Sequence, residues 1–534
     1  MQLLDNLQGN STALRETRGP SWLDNPDYRG TASIIWSSLI TLVACVYSAI
    51  HLNIPAPGKN GEWAVLRTKF LWVLIALVAP EVVLVTAFTQ FLKAWWLRYE
   101  LQRLQTSNST APAQTPVSLR YCFFVVMGGV RHVFDDVLDD DEIRWLNDRI
   151  QESTAVLSPE GVLQLAMLGH SVTVPDSAIE ERSKASIIQK CLVLAQVFWM
   201  GLQCMVRVGY GFPLALIEIH VLVHVVCAAV MYAFWLKKPL DIREPIVLDS
   251  KDIDGVLLLM LELQILASPV AAKTFYIHPP MRPDNAVSST PPETKTYLGR
   301  FDSEAHGTRK SEKMKWVALP RNGGRLLKGE ALPCGISFPD ETSISGRWLR
   351  RLEAVAKVLD DLEQGSRRTG ALKSLYPDEF YHVAFARPGA NINLELAAGK
   401  GSRNLSTRKL MDWVFWVGLL VLPAFYGGVH LSAWKYNFPS TIEAQWWRIS
   451  CFVVIGGVLV WPCLSCVVVP FVAILTRCQD DKMLDVAVSV TGLIFVLVNI
   501  FCRLFLLLDS FIALRASPVG VYLTPPWLQM LPHL

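Results

Sequence analysis

The sequence contains few charged residues for its length. Of its 534 residues, 18% are charged, against about a quarter in typical soluble domains. The formal net charge of +3 is small, and no basic stripe with interleaved aromatic residues occurs, which argues against nucleic acid as a partner. A nucleotide-binding glycine loop, an HExxH motif and a GxSxG nucleophile elbow are also absent from the sequence, so these binding and hydrolytic classes are not indicated.

The N-terminus lacks the features of a cleavable secretory signal. Residues 1–30 are polar and include Asp, Glu and Arg. They contain neither an apolar core nor a small-residue cleavage site. We therefore expect the first apolar segment to act as the insertion signal and to remain in the mature chain.

Long apolar segments account for much of the chain. Hydrophobic residues make up 51% of it, and the mean hydropathy is +0.31. A bilayer core of about 30 Å needs roughly 20 apolar residues in a helix. The segments that meet this requirement are Thr31–Ile54, Phe70–Leu92, Ile187–Val206, Leu214–Leu236, Met411–His430, Ile449–Leu475 and Leu484–Leu508. Val256–Ala272 is shorter and contains Glu262, so it is either an eighth span or a helix at the interface.

The predicted fold class is an all-α membrane protein, a polytopic helical bundle of seven to eight transmembrane helices with two large polar loop regions. Its parts are a polar N-terminal segment (1–30), helices 1–2 (31–96), a polar loop region (97–186), helices 3–4 with a short apolar helix (187–272), a large polar loop region (273–410), the last three helices (411–514) and a C-terminal tail (515–534). The second loop region includes a candidate amphipathic helix, Gly346–Leu362. The two halves show no internal repeat, which counts against an inverted-repeat transporter.

Two sequence features disagree on the orientation in the membrane. Basic residues cluster beside the fourth and fifth segments: Lys237, Lys238, Arg243, Lys251, Arg403, Arg408 and Lys409. The positive-inside rule places both clusters in the cytosol and, with the predicted spans, the N-terminus too. The glycosylation sequons at Asn10 and Asn108 favour the opposite topology. We follow the charge rule and expect a multi-pass protein of the endomembranes, in the endoplasmic reticulum, with glycosylation a further prediction.

The informative residues of the spans are the ionisable ones. A charge at the bilayer centre costs about 2.5–3.5 kcal/mol on the insertion scale, so such residues usually face a bundle interior. Glu81 follows Pro80, which is expected to bend the second segment and open a polar niche. On the fourth segment lie Glu218 and the histidines His220 and His224, which share one helix face. The last segment contributes Arg503 and Asp509.

These residues have two interpretations. They could form structural ion pairs between helices, such as Arg207 with Glu218 or Arg503 with Glu81. Alternatively, a carboxylic acid in an apolar interior stays protonated near neutral pH and acts as a general acid. Convergence of several such groups would favour the second interpretation.

Two further motifs are interpreted as structural. Asp135-Asp136-x-x-Asp139 matches a diphosphate-binding pattern but continues into more acidic residues, as a solvated loop does. Cys463-x-x-Cys466 has no second cysteine pair nearby and is interpreted as apolar packing.

Several local patterns occur in order along nearly the whole chain. They include Arg29-Gly-Thr31, His51-Leu-Asn-Ile-Pro55, Ala79-Pro-Glu81, Met127-Gly-Gly129, Ser183-Lys184, the run from Trp235 to Asp241, Arg503-Leu-Phe-Leu and Pro532-His533. Together they resemble a large family of filamentous-fungal multi-pass membrane proteins. A few relatives act as membrane terpene cyclases in fungal meroterpenoid pathways, and this chain is most similar to the one of ascofuranone-type pathways.

The resemblance implies an enzyme that closes a ring on an epoxidised farnesyl-aryl substrate without metal or nucleotide. An acid protonates the epoxide oxygen, aromatic faces shelter the developing cation, and a base removes the released proton. We assign Glu81 as the acid, Glu218 or Asp509 as its partner, and His220 or His224 as the proton acceptor. The expected partners are a hydrophobic small molecule and the lipid bilayer. The alternative functions are a secondary-metabolite transporter and a seven-span receptor or scaffold.

Overall fold

The computed structural model describes residues 11–24, 28–107, 117–134, 150–151, 154–170, 172–183, 187–248, 251–266, 276–277, 315–328, 330–334, 336–337, 341–369, 384–386, 405–457 and 481–524. The acidic run at Asp135–Asp139 and the pair Cys463 and Cys466 lie outside these residues.

The described part of the chain is mostly helical. Its helices are α1 (Ser11–Glu16), α2 (Thr31–Ala49), α3 (Glu62–Val78), α4 (Pro80–Ser107), α5 (Leu119–Val126), α6 (Pro159–Met167), α7 (Asp176–Arg182), α8 (Ile187–Gly209), α9 (Leu216–Phe234), α10 (Lys251–Leu266), α11 (Gly346–Thr369), α12 (Leu405–Leu431), α13 (441–457) and α14 (Asp481–Ile512). Short 3-10 turns follow α12 and α14 at Ser432–Lys435, Ala513–Ala516 and Val519–Tyr522.

Within the described ranges, four helices are long and apolar enough to cross a membrane. They are α2, α9, the stretch Trp416–Lys435 and the stretch Val488–Ala516. A bent pair, α3 with α4, raises the number to five if it is counted as one span. By length and composition the described residues therefore support four or five spans, and the seven to eight that the sequence predicted are not confirmed.

The other predicted spans have different outcomes. Ile187–Val206 lies on α8, which is not among the four candidates. Of Ile449–Leu475, the first part is helical and residues 458–475 lie outside the described chain. The proposed eighth span, Val256–Ala272, falls on α10, a helix of 16 residues that packs against α11. Gly255 permits this close approach, since a Cβ there would lie 2.6 Å from Val358 Cγ2.

The predicted span Phe70–Leu92 is divided by Pro80. Helix α3 ends at Val78, Ala79 adopts φ −141° and ψ 72°, and α4 begins at Pro80 with its axis turned by 114°. Proline cannot donate a backbone hydrogen bond, but it is well tolerated as the first residue of a helix. The bend that the sequence predicted at this proline is confirmed.

One end of the helical bundle is built by both terminal segments, and we call it the terminal face (residues 11–31, 207–218, 432–443 and 512–524). Gly19 N donates to Ser517 O, and Arg18 donates to Phe438 O at 3.0 Å. Buried Arg207 donates to the carbonyl oxygens of Leu523, Val521, Gly520 and Pro213. These bonds join the segment before α2 and the end of α8 to the residues that follow α14, and Arg18 also reaches the loop between α12 and α13.

The opposite end holds the polar regions, and we call it the loop face (residues 50–62, 117–134, 183 and 235–248). Helices α2 and α9 run parallel from the terminal face, because each begins there and each is followed by residues that meet here. Lys238 donates to His51 O at 2.6 Å, Asn53 Oδ1 at 2.9 Å and Gln90 Oε1 at 2.8 Å. Nineteen residues of α9 span about 28 Å, the thickness of a bilayer core.

The polar regions contain small sheets, so the all-α prediction was incomplete. The first sheet is ordered β11-β3-β1-β4, with β2 also paired to β3, and it joins both polar regions. Its strands are β1 (Val130–Val133), β2 (Ile150–Gln151), β3 (Thr154–Leu157), β4 (Ile246–Val247) and β11 (Phe385–Ala386). The strands β5 (Tyr276–Ile277), β6 (Lys315–Trp316), β7 (Gly323–Leu326), β8 (Glu330–Ala331), β9 (Ile336–Ser337) and β10 (Thr342–Ser345) form two smaller sheets. The predicted amphipathic helix is α11, whose Leu349 and Leu352 pack on Leu326 and Ile344.

Candidate functional site

Buried polar side chains from several helices meet in the apolar interior near the terminal face. His220 and His224 come from α9, and Tyr426 and His430 come from α12; all four are at most 1% exposed. The ring centroids of His220 and His224 lie 4.5 Å apart, and those of His220 and His430 lie 5.2 Å apart. Tyr426 lies 5.8 Å from His224 and 4.5 Å from His430. We call these residues, together with Glu81 and Arg503, the histidine cluster.

A buried ion pair borders the four aromatic rings. Arg503 Nη2 of α14 lies 2.5 Å from Glu81 Oε1 of α4, and both side chains are buried. The guanidinium carbon of Arg503 lies 5.2 Å from the centroid of the Tyr426 ring, within cation–π distance. Glu81 is in the first turn of α4, where the helix dipole favours a negative charge. The ion pair with Arg503 and the helix dipole each favour the ionised form of Glu81.

The break at Pro80 is joined to the cluster by His224. The Nε2 atom of His224 lies 3.1 Å from Leu77 O, in the last turn of α3. Carbonyls of a last turn lack helical partners and need others when they are buried. His224 Nδ1 lies 2.9 Å from His220 O. A neutral imidazole can donate to only one of these two carbonyls, whereas the protonated ring donates to both.

Four polar atoms of the cluster have no hydrogen-bond partner among the described residues. They are Glu81 Oε2, Arg503 Nη1, His220 Nε2 and Tyr426 Oη. A buried polar atom without a partner costs about 1–3 kcal/mol. Arg503 Nη1 and Tyr426 Oη can donate hydrogen bonds, and Glu81 Oε2 and a neutral His220 Nε2 can accept them. The cluster can therefore bind a polar group that both accepts and donates hydrogen bonds.

The other two predicted carboxylates have different surroundings. Glu218 is paired with Arg29 at 2.5 Å and accepts from Ala215 N at 2.8 Å, which caps α9. The predicted partner Arg207 instead binds the C-terminal carbonyls. Asp509, near the end of α14, is 2% exposed and has Glu443 and Arg515 as its charged neighbours. The structure thus brings Glu81, His220 and His224 into one cluster, whereas Glu218 and Asp509 lie beside other charged residues.

The sequence interpretation missed Tyr426, His430 and Arg29. His430 was used only as the end of a predicted span, although it follows Tyr426 by four residues and so shares its helix face. Trp447 of α13 completes the surroundings: its indole nitrogen donates to His430 O at 3.0 Å, and its ring centroid is 5.8 Å from that of His430. The sequence signal that could have identified His430 is its position four residues after a tyrosine within an apolar segment.

A second buried polar group lies at the loop face. No carboxylate of the described residues is within ion-pair distance of Lys238, and its ammonium is held by three neutral oxygens. Burial lowers the pKa of Lys238 well below its ordinary value. Trp235 donates to Gln90 Oε1 at 3.0 Å and lies under the ammonium at 4.7 Å. All donors of this lysine are used within the protein, so it ties α4 to α9 and to the loop after α2.

The histidines of the cluster are arranged for hydrogen bonding. In the described part of the chain, no group of three or more His, Cys, Asp or Glu side chains is arranged to hold a metal ion. Each histidine of the cluster faces at least one backbone carbonyl or another ring nitrogen. The arrangement is suited to moving protons between nitrogen and oxygen atoms in an apolar interior.

The chain belongs to a family of unknown function, DUF8562, which it matches over residues 4–296 and 398–534. All six residues of the histidine cluster lie in these two ranges, whereas α11 and the two smaller sheets lie largely between them. No curated protein and no solved structure matches the chain.

Proposed function

We propose that the chain is a multi-pass membrane enzyme that closes a ring on an apolar, epoxidised prenyl substrate inside its helical bundle. The observation that carries the proposal is the histidine cluster, with its four unpartnered polar atoms in an interior otherwise lined by apolar helices. Ionisable groups at such a depth are costly and usually serve function. The resemblance to fungal membrane terpene cyclases supplies the substrate class, an aryl-farnesyl epoxide.

The membrane topology that fits the contacts has six crossings. Six helices each connect the terminal face to the loop face or begin at one of these faces: α2, α8, α9, α12, α13 and α14. This proposal differs from the seven to eight spans expected from hydropathy, because it treats the α3–α4 pair as a re-entrant hairpin. Its entry and exit both lie at the loop face: Glu62 is paired with Arg243 at 3.3 Å, and Gln90 is bound to Lys238. A bend of 114° turns α4 back towards the side from which α3 came.

The charge distribution supports a cytosolic loop face. Both basic clusters of the sequence, around residues 237–251 and 403–409, then lie on one side with the two polar regions. The terminal face, with both terminal segments, lies on the lumenal side. The orientation is therefore opposite to the cytosolic N-terminus expected from the sequence, and it makes the Asn10 sequon lumenal. Residence in the endoplasmic reticulum remains part of the proposal.

The ion pair changes the assignment of the acid. The sequence interpretation assigned Glu81 this role, but pairing with Arg503 favours its anionic form. In the proposal Tyr426 therefore gives the phenolic proton to the epoxide oxygen, and Arg503 stabilises the phenolate from its position near the ring. Glu81 holds Arg503 in place.

The remaining steps balance as an isomerisation. As the epoxide oxygen takes the proton, one C–O bond of the ring breaks and a cation develops on carbon. A hydroxyl or alkene of the same molecule attacks that carbon and forms the new bond. The proton lost after the attack passes to His220 Nε2 and returns to the Tyr426 oxygen. No atom is gained or lost, and exclusion of water prevents hydrolysis of the cation.

The test is conversion of a synthetic aryl-farnesyl epoxide by membranes from cells that express the chain. The expected product is a cyclic isomer of identical mass, resolved by chromatography and mass spectrometry. Tyr426→Phe and His220→Ala should each lower the rate by about 10²–10⁴, the range of acid–base catalysis. The matched control is His170→Ala, which lies outside the cluster and should retain the wild-type rate. Equal rates for wild-type, Tyr426→Phe and empty membranes would overturn the proposal.

A second function is favoured by the broken helix. Discontinuous helices near the middle of a membrane often form substrate and ion sites in transporters, and buried histidines often relay protons there. The α3–α4 break touches the histidine cluster through His224 and Leu77. A proton-coupled exporter would move the unchanged epoxide across vesicles in response to a pH gradient, and it would yield no isomer. The same substrate therefore separates the two functions.

A further inference from the structure

The hydrogen bonds of His430 define where its proton lies. Its Nδ1 atom is 2.8 Å from Tyr426 O, one helical turn earlier. A carbonyl oxygen can only accept, so Nδ1 must carry the hydrogen. In the neutral ring, Nε2 of His430 then has a lone pair and no hydrogen.

That lone pair in turn defines the tautomer of His220. Nε2 of His430 is 3.0 Å from Nδ1 of His220. Since the His430 atom accepts, the His220 atom donates, and Nδ1 of His220 carries the hydrogen. Nε2 of His220 is therefore the unprotonated nitrogen, and it is one of the four atoms without a partner among the described residues.

The surroundings hold His430 in this orientation. The residue is fully buried, Trp447 donates to its backbone oxygen, and the Tyr426 ring lies 4.5 Å from its own ring. Neither neighbour supplies an alternative acceptor to His220 Nδ1. His224 differs, because both of its nitrogens face carbonyl oxygens.

We infer that His430 is a positioning residue, which keeps the hydrogen of His220 on Nδ1 and so leaves His220 Nε2 free to accept a proton from the substrate. The inference rests on the proposed function for the role of that nitrogen, but the tautomer itself follows from hydrogen bonds between protein atoms. His430 touches His220 and acts through it. The chemical class of ligand at His220 Nε2 is a proton donor, a hydroxyl or a carbocation with an adjacent C–H bond.

The first test observes the tautomer directly. The chain, with ¹⁵N-labelled histidine, is purified in detergent, and its histidine nitrogens are recorded by NMR; His220→Gln identifies the signals of residue 220. Wild type should show a protonated Nδ1 and a bare Nε2 for His220. His430→Phe removes the acceptor and should give a tautomer mixture. His430→Gln keeps a carbonyl oxygen as acceptor and should preserve the wild-type pattern. A His220 ring protonated at Nε2 in the wild type would overturn the inference.

The second test compares rates with the epoxide substrate. His430→Phe should lower kcat by about the factor by which the population of His220 with a bare Nε2 falls in the tautomer mixture, a loss of several-fold, with KM changed far less. His430→Gln should recover most of kcat, which a purely space-filling role would not explain, since Phe matches the ring better. A His430→Gln variant that is no more active than His430→Phe, although it is folded by size-exclusion chromatography, would refute the positioning role.

The two tests fail separately. If the NMR signals follow the expected pattern while no variant and no wild-type sample converts the epoxide, the proposed function is wrong and the hydrogen-bond assignment stands. If the wild type is active and His430→Phe leaves both the tautomer and kcat unchanged, the proposed function stands and the positioning role is wrong.

Discussion

Among single residues, the buried glutamates Glu81 and Glu218 have the same kind of environment. Glu81 and Glu218 each lie in the first turn of a helix, and each is paired with an arginine from a distant part of the chain. The helix N-terminus and the arginine both favour the carboxylate. This repeated arrangement supports a structural contribution of both pairs, in addition to any role that Glu81 has beside Tyr426.

The Glu81–Arg503 pair leads to a prediction about stability. Arg503→Met leaves the Glu81 charge buried and unpaired, so it should destabilise the protein by about 3–5 kcal/mol. The double variant with Glu81→Leu should recover most of this loss, because neither charge remains. The measurement is thermal unfolding in detergent. As a control, Arg515→Met removes a partly exposed pair with Glu443 and should cost less than about 1 kcal/mol.

Lys238 leads to a prediction about pH. Because burial lowers its pKa in the folded protein, the unfolded chain binds more protons between the folded pKa and the ordinary value. Stability should therefore rise as the pH increases through this window. The unfolding temperature of wild type, measured in steps above pH 7, should rise relative to that of Lys238→Met, which lacks the group. Parallel pH profiles for the two proteins would contradict the prediction.

The sequence allowed the ionisable residues to be found but not their partners. Glu81, His220 and His224 were selected because charges and histidines are rare in apolar segments, and the structure brings these three into one cluster. Arg207, eleven positions away, was one possible ion-pair partner of Glu218 in the sequence interpretation. The actual partner, Arg29, lies 189 residues away in the chain, and no local pattern indicates such a distance. His430 was missed because hydropathy treats a terminal histidine of a segment as a boundary.

Among the elements, the α3–α4 pair most affects the topology. A re-entrant hairpin has the same length and hydropathy as a crossing segment, so composition cannot separate the two. The proposed hairpin rests on the direction of α4 after Pro80 and on the contacts of Glu62 and Gln90 at one face. The sequence correctly predicted a bend at Pro80 and could not predict its angle, which depends on the packing of α4 against α9 and α12.

The proposed hairpin predicts that both of its ends are accessible from the same side of the membrane. Lys59→Cys and Arg103→Cys, both at exposed positions, should react with a membrane-impermeant thiol reagent from the same side of sealed vesicles. Arg15→Cys at the terminal face should react only from the other side. The experiment uses a background in which the native cysteines are replaced and the protein is shown to be folded. Labelling of positions 59 and 103 from opposite sides would show that the pair crosses the membrane.

We expect the contact between His224 and Leu77 O to stabilise the break between α3 and α4. Replacing His224 by Leu removes the contact with Leu77 O, so a buried carbonyl in the last turn of α3 loses a partner. The expected cost is about 1–3 kcal/mol, measured by thermal unfolding. His224→Gln, which can still donate to this oxygen, should lose less. Equal stability of the Leu variant and wild type would show that the contact does not stabilise the break.

At the scale of the whole molecule, composition correctly indicated a predominantly helical chain with apolar segments long enough to cross a membrane. It did not indicate the sheets, whose strands are two to four residues long and pair across the two predicted polar loop regions. Strands this short carry too few residues for an alternating pattern. The pairing of Val130 with Ile246 joins the first polar loop region to the part of the chain that the prediction assigned to helices 3–4 and the short apolar helix.

The proposed orientation predicts the pattern of glycosylation. The Asn10 sequon precedes the terminal face and should be modified in the lumen, whereas Asn108 follows α4 on the cytosolic side and should not be. Endoglycosidase treatment of the chain expressed in eukaryotic cells should remove one glycan from the wild type. Asn10→Gln should abolish this shift and Asn108→Gln should leave it unchanged. The reverse result would invert the orientation and return the N-terminus to the cytosol.

The bonds between the two terminal segments also constrain how the protein is made. Pro20 accepts from Tyr522 across 502 positions, and Arg18 donates to Phe438 across 420. A ribosome that adds about 5–20 residues per second needs on the order of a minute to cover such a distance. Until residues 517–523 have been added, Gly19 and Arg207 lack the carbonyl oxygens of these residues, to which they donate in the folded protein. The terminal face can therefore be completed only once residue 523 has been added, and a nascent chain halted before residue 513 leaves it open.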